Sequence, residues 1–232
     1  MRPSMDNVIF VTGTDTDAGK TVISCALIEY YVSQGVKVAP FKPVSAGAVQ
    51  TENGLRNSDA VQLLSASKSN YSYNDINPFV YEEPVAPHIA AEKTGHPISS
   101  ALLTQRVKSL SMQSDLVVIE GAGGWQVPLN KKESLADWVR TLECPVILVV
   151  GLRVGCINHA VLSYLEIING PNKLIGWIAN TTDSNVDNVP AIIDYIGGVI
   201  KAPLLGAVPY LKENDTAVEH IDFSLINTTT AQ

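Results

Sequence analysis

The sequence predicts an α/β fold, a mostly parallel sheet with helices on both faces. Three observations predict it. Short apolar runs recur along the chain, at Asn7 to Thr12, Val36 to Phe41, Leu116 to Ile119, Val146 to Val150, Leu174 to Ala179 and Leu204 to Val208. Continuous runs of this kind suit strands covered on both faces. Segments of helical spacing lie between the runs, and alternation of strand and helix is the signature of parallel sheets with helical crossovers. Finally, 232 residues with 46% hydrophobic and 17% charged side chains suffice for one large domain with a substantial core.

Taken in order, Val8-Ile9-Phe10-Val11 centres the first strand. After a glycine-containing loop, Val22, Ile23, Ala26, Leu27 and Tyr30 fall on one helical face, and Gly35 ends that helix. Further helices are expected at Asp59 to Ser67, Ser99 to Met112, Ser134 to Leu142, Cys156 to Ile168 and Asn188 to Ile196. The stretch Ser69 to Pro97 carries Pro78, Pro84, Pro87 and Pro97 among polar residues. It reads as an irregular excursion over the sheet edge, not as a linker, so residues 1–232 form a single domain. The polar end, residues 223–232, is expected to be a flexible tail.

Composition excludes several functions. A formal net charge of −7 argues against a general nucleic-acid binder, which needs clustered Lys and Arg. A small anionic ligand needs only a local positive site and stays open. Cys25, Cys144 and Cys156 are scattered without metal or disulfide spacing, and read as free thiols in a reducing compartment. Met1 to Asn7 lacks an apolar signal core, and no apolar run is long enough to cross a bilayer. A cytoplasmic protein with no membrane partner is the expectation.

The sharpest motif is Gly13-Thr14-Asp15-Thr16-Asp17-Ala18-Gly19-Lys20-Thr21, directly after the first strand and opening the first helix. Backbone N–H groups at such a turn surround phosphate oxygens, and the helix N-terminus adds partial positive charge. Lys20 can reach the outer phosphates of ATP, and the Thr21 hydroxyl can ligate magnesium. The loop has one residue more between Gly13 and Gly19 than the usual phosphate-binding pattern. Asp15 and Asp17, placed beside a polyanion, must face metal, water or substrate groups.

Other candidates cluster at strand ends. Glu120 closes the apolar run Leu116 to Ile119 at the edge where α/β sites form, making it a candidate magnesium ligand. Gly121, Gly123 and Gly124 after it allow close backbone approach to a ligand. Lys42 ends the second strand on the same edge and can stabilise charge on a transferring phosphoryl group. Asp59 by itself reads as an acid at a helix start. Gly151 to His159 is a second helix-opening loop whose free N–H groups can hold a carboxylate. His159 fits a packing or surface role better than that of a base. His88, His96 and His220 lack metal-ligand spacing. Trp125, Trp138 and Trp177 fit core or interface positions.

Together these segments resemble the dethiobiotin synthetase family. The matching pieces include Val11-Thr12-Gly13-Thr14-Asp15-Thr16, Gly19-Lys20-Thr21, Lys42-Pro43-Val44, Gly54-Leu55-Arg56-Asn57-Ser58-Asp59, Pro87-His88, Glu120 to Trp125, Ala136-Asp137-Trp138, Gly155 to Ala160, Gly176-Trp177, Ala179-Asn180 and Ala202 to Gly206. The longer phosphate loop is itself that family's variant. The resemblance implies a fold of the P-loop NTPase type and an ATP-dependent ligase of biotin synthesis. In that reaction carbon dioxide adds to an amine of diaminopelargonic acid, ATP phosphorylates the carbamate, and the second amine closes a cyclic urea.

The family pattern implies roles residue by residue. Lys42 is the active-site lysine, working with Lys20. Thr21, Asp59 and Glu120 ligate Mg2+. ATP is contacted by Asp17, Ala18, Gly19, Lys20, Thr21, Val22, Asp59, Glu120, Gly121, Ala122 and Gly123, with adenine read at Asn180 beside Pro209, Tyr210 and Leu211. Val154, Gly155, Cys156, Ile157 and Asn158 hold the substrate carboxylate across a homodimer interface. The family usually has a hydroxyl where this chain has Ala46, and either Ser45 or a water takes over that substrate contact. Ala18 stands where Val is common, a packing change only. Two alternatives carry the same nucleotide site: an ATPase acting on a partner protein, and a relative with an altered substrate. The former typically has a second lysine at the loop start, where this chain has Thr12, Gly13 and Thr14.

Overall fold

The first strand, β1 (Val8–Gly13), buries all of its residues. Val8 and Phe10 pack into one apolar cluster and Ile9 and Val11 into another, because successive side chains leave a strand on opposite faces. The sheet is therefore covered twice, as the unbroken apolar runs predict. The computed structural model describes residues 7–213 and 215–226.

The chain continues through α1 (Lys20–Ser33), β2 (Val38–Phe41), β3 (Val44–Ser45), β4 (Val49–Thr51), β5 (Gly54–Arg56), α2 (Ser58–Ser67), α3 (Tyr73–Ile76), β6 (Phe79–Val80), α4 (Pro87–Thr94), α5 (Ser100–Ser111) and β7 (Leu116–Glu120). It then runs through α6 (Leu135–Leu142), β8 (Val146–Leu152), α7 (Cys156–Ile168), β9 (Leu174–Thr181), α8 (Val189–Val199) and β10 (Leu204–Val208), with two short 3-10 turns after it. Six strands form one sheet in the order β10-β9-β8-β1-β7-β2, and every pairing is parallel. β1 lies at the centre. The chain leaves it to one side to make β2 and β7, then crosses to the other side for β8, β9 and β10. That reversal puts a crevice at the C-terminal ends of β1 and its neighbours.

Local sequence explains where the helices begin. Asn57 caps α2, its side chain accepting from the N–H groups of Asp59 and Ala60. Ser99 caps α5 in the same way, and Ser134 with Asp137 forms a reciprocal capping box on α6. All six helices expected from the sequence, α1 among them, are present, with ends shifted by no more than a few residues. The tryptophans Trp125, Trp138 and Trp177 are all buried. Cys144 and Cys156 are buried free thiols, and Cys25 is half-buried. Among the described residues no helix is long and apolar enough to cross a membrane.

Two expectations are corrected. The proline-bearing stretch 69–97 is not irregular: it holds α3, β6 and α4, and β6 pairs in parallel with β3. α3 and β6 are too short to show a period, and α4, as long as α6, has no side-chain cap to mark its start. Pro87 sits at the first position of α4, where a missing N–H costs nothing. The small β4–β5 hairpin is a further element that periodicity does not reveal. The expected tail is also shorter. Phe223 and Ile226 are buried against the cluster beneath α1, with the Phe223 ring 5.2 Å from that of Tyr30. Their polar neighbours hide a two-residue apolar anchor. The remainder of the expected tail, 227–232, lies outside the described residues.

Candidate active site

Parallel register determines what meets at the crevice. Val11 of β1 stands opposite Glu120 of β7, and Phe41 of β2 opposite Ile119. Glu120 therefore ends β7 level with the start of the phosphate loop and next to Lys42, the residue after β2. On the other side, Gly13 pairs with Val149 of β8, and Gly151 with Asn180 of β9. Lys42, Glu120, Gly13, Gly151 and Asn180 thus share one sheet edge.

The phosphate loop is tied to β8, with the Thr14 N–H donating to the Val149 carbonyl at 2.9 Å. Asp17 and Gly19 adopt left-handed backbone (φ 58° and 87°), curling the loop before α1 starts. No side chain caps α1, so its first N–H groups stay available for an anion. Gly19 is required twice over. Its backbone is left-handed, and a Cβ there would lie 1.9 Å from Asn180 Nδ2. Gly151 lets the loop pass above β8, since a Cβ there would meet Ala18 Cα at 2.8 Å. Asn180 is buried and donates through Nδ2 to the Ala18 carbonyl at 2.9 Å, bracing the loop from β9.

The charged centre lies beside this loop. Lys42 is buried, and its Nζ reaches Glu120 Oε1 at 2.6 Å and Asp59 Oδ2 at 2.9 Å. Thr21 Oγ1 donates to the same Glu120 oxygen at 2.8 Å. Burial alone would depress the Lys42 ammonium, but Glu120 and Asp59 outweigh it and hold it above the ordinary lysine range. Lys20 differs. Burial first, then the charge of Lys42, lowers it to about 8, and its Nζ donates to the Asp15 carbonyl at 2.9 Å. A polyphosphate would supply the negative charge that Lys20 lacks.

The donor set fits magnesium. Glu120 Oε2 is buried without a hydrogen-bond partner among the described residues. With the Asp59 carboxylate and the Thr21 hydroxyl it makes a set of hard oxygen donors. No cluster of three or more His, Cys, Asp or Glu suited to a metal exists among the described residues. Mg2+ does not need one, because it usually binds one or two carboxylates plus phosphates and waters.

The remaining expected residues separate into groups. Val22 is partly exposed on α1. Gly121 to Gly123 follow Glu120, and the Gly121 carbonyl lies 3.4 Å from Lys42 Nζ. Pro209 and Tyr210 line a cavity of about 360 Å3 with Thr181, Ser184, Val189 and Val208 at the end of β9. Leu211 instead packs against the core. Val154 to Asn158 line a separate cavity of about 590 Å3 with Ile192 and Tyr195, and α7 also starts without a side-chain cap. This loop follows β8, three strand spacings from β2 and hence about 14 Å across the sheet from Lys42. Asp15 lies at the surface on the β8 side of the loop. It pairs with Arg153, and His159 Nδ1 lies 4.0 Å away on the surface.

Ser45 turns inward. It is buried, and its hydroxyl donates to Asn77 Oδ1 at 2.9 Å. Sequence reasoning also missed the polar residues behind Lys42 and Asp59. Asn57 carried a signal, since Asn before Ser-Asp is a helix cap. Asn77, between Ile76 and Pro78, carried none.

A family model described as an AAA domain matches residues 7–217. An ATP-dependent dethiobiotin synthetase of Yersinia pestis is 44% identical over 204 residues, 88% of this chain and 85% of that protein. The counterpart from Escherichia coli K12 is 43% identical over 210 residues, 90% and 93% of the two chains. Among solved structures, the septum site-determining protein MinD of Pyrococcus horikoshii, complexed with Mg-ADP, superposes with a TM-score of 0.59. It shares 17% identity over 88% of this chain and 81% of its own, a likeness of fold alone.

Proposed function

Because this chain belongs to the ATP-dependent dethiobiotin synthetase family, we propose that it carboxylates diaminopelargonic acid and closes it to dethiobiotin, with ATP converted to ADP and phosphate. The observation that carries this reading is the buried Lys42 ammonium between Glu120 and Asp59, at the mouth of the loop Gly13 to Thr21. An ATPase that only hydrolyses nucleotide has no need of a second buried lysine at the far side of the metal ligands. An enzyme that builds up anionic carbamate and phosphoryl groups does.

The residues divide the work. The loop N–H groups from Asp17 to Val22, with Lys20, bind and orient the triphosphate. Asn180, Pro209 and Tyr210 are proposed to hold the base. Leu211 supports that wall from the core. Thr21, Asp59 and Glu120 would hold Mg2+, which when bound neutralises phosphate charge. Gly121, Ala122 and Gly123 let the backbone approach the phosphates closely. Carbon dioxide joins one substrate amine with loss of a proton, giving a carbamate. Lys42 is placed to neutralise that carbamate as its oxygen attacks the terminal phosphorus, the bond to the bridging oxygen breaks and ADP leaves. The second amine then attacks the carbamic-phosphoric anhydride, closing the ring and releasing phosphate. A water beside Ala46, not Ser45, makes the contact that a hydroxyl usually makes.

The carboxylate end of the substrate is assigned to Val154, Gly155, Cys156, Ile157 and Asn158 of a second copy. Support comes from the distance of this loop from Lys42 within one chain. Val154, Leu162, Leu165 and Ile168 beside it are also exposed apolar residues suited to a homodimer interface. The test is direct. Protein with diaminopelargonic acid, bicarbonate, Mg2+ and ATP should yield dethiobiotin and ADP in equal amounts. ATP hydrolysis that ignores the diamine, with no cyclic urea formed, would overturn the reading in favour of a partner-directed ATPase.

A further inference from the structure

We propose that Tyr73 and Asn77 are positioning residues, which clamp the backbones carrying Lys42 and Asp59 so that ammonium and carboxylate meet in one geometry. The proposal rests on the function assigned above and concerns residues outside the nucleotide motifs.

The clamp is a closed ring of hydrogen bonds. Both backbone groups of Lys42 are held by the end of α3: its N–H donates to the carbonyl of Ile76, the last residue of α3, at 2.7 Å, and its carbonyl accepts from Nδ2 of Asn77, the next residue, at 2.7 Å. Asn77 is 1% exposed. Its Oδ1 accepts from Ser45 Oγ and from the Tyr73 hydroxyl, each at 2.9 Å. The Tyr73 oxygen in turn accepts from the Asn57 N–H at 2.7 Å. Asn57 caps the helix that carries Asp59, accepting from the Asp59 N–H at 3.1 Å, and donates to the Ala46 carbonyl at 3.3 Å. The side chains complete the ring where Lys42 Nζ meets Asp59 Oδ2 at 2.9 Å.

A lysine ammonium sits at the end of a long rotatable stem, so its position depends on where both backbones are anchored. Here Lys42 follows a sheet strand, whereas Asp59 lies on a helix reached through a small hairpin. The helix packs against the strand, and the bridge adds a polar link at their ends. Tyr73 bridges the two, and the Arg56 guanidinium, 4.1 Å above its ring, holds the ring itself without using the hydroxyl. The Tyr73 oxygen is therefore a link that can be removed alone.

The test is Tyr73→Phe, which keeps the ring and its stacking and breaks only the bridge. Expected is a fall in kcat of about tenfold or more. The magnesium concentration for half-maximal turnover should rise as Asp59 loses its register. KM for ATP and binding of a non-hydrolysable ATP analogue should stay within about twofold, because the phosphate loop is untouched. Asn77→Asp, which removes the donor to the Lys42 carbonyl, should show the same split if it folds. Unchanged kcat overturns the proposal. So does a loss shared equally between kcat, ATP binding and melting temperature, which would mark a structural role. A wild-type protein that makes no cyclic urea refutes the reaction instead. A crystal structure of Tyr73→Phe decides the clamp separately, because an unaltered Lys42–Asp59 contact overturns it whatever the reaction.

Discussion

Replacing Lys42 by Met tests the charged centre most sharply. The substitution keeps most of the stem and deletes the ammonium. Glu120 is then left with a side chain 1% exposed and no cation against Oε1. Removing one partner of a buried pair costs about 3–5 kcal/mol, because the other charge stays desolvated. Asp59 is 36% exposed and keeps some hydration, so its share is screened and the lower end applies. A loss of about 3 kcal/mol lowers the melting temperature of a chain this size by about 6–12 °C. Millimolar Mg2+ should restore part of it, since a hard cation can take the ammonium's place between the carboxylates. Turnover should fall by at least about 10²–10³, the usual cost of one charge-stabilising donor, while nucleotide analogue still binds at the intact loop. Scanning calorimetry with and without Mg2+, analogue titration and product assay measure the three effects. Melting within about 2 °C of wild type together with near-normal turnover would show that Lys42 is neither the counter-charge of Glu120 nor part of the chemistry.

Four further outcomes follow from three residues. Lys20, lowered to about 8, is half-protonated at that pH in the free protein, and bound triphosphate should hold it protonated. ATP binding at pH 8 should therefore take up about half a proton, read by calorimetry in buffers of different ionisation heat. By the same sign, the nucleotide-free protein should gain stability as pH rises from about 8 towards 10.5, where the folded chain binds fewer protons than the unfolded one. Gly19→Ala sets a Cβ 1.9 Å from Asn180 Nδ2 on left-handed backbone, and should abolish analogue binding while the sheet core stays folded by circular dichroism. Phe223→Ala should lower the melting temperature by about 10 °C, from a cavity costing about 3–5 kcal/mol, with KM for ATP unchanged.

Much of the fold was legible because its signals are local. Each sheet strand is an apolar run, and α1 and the five other expected helices show their period or their cap. The excursion 69–97 was misjudged for the opposite reason. α3 and β6 are too short for a period, α4 is no shorter than α6 but lacks its side-chain cap, and these pieces are stabilised by what they touch, as β6 is by β3. Phe223 and Ile226 escaped notice among polar neighbours for the same cause. At the site, Lys20 and Thr21 announce themselves within one loop. Asp59 did not by itself, since an acid at a helix start has an ordinary explanation; the family resemblance gave it another, and the structure sets Lys42 Nζ beside it.

By itself the sequence determined the α/β alternation, the phosphate loop after β1, and the family to which the chain belongs. These depend on spacing along the chain, which burial and backbone geometry translate directly into strands, helices and turns. Tertiary structure alone decided that Lys42 is buried and shared between Glu120 and Asp59, that Ser45 turns inward to Asn77, and that Tyr73 bridges two separate segments. Those facts depend on the register of parallel strands far apart in the chain, and on hydrogen bonds between residues up to 78 positions apart. No local pattern encodes such a meeting, because it exists only once the sheet has formed.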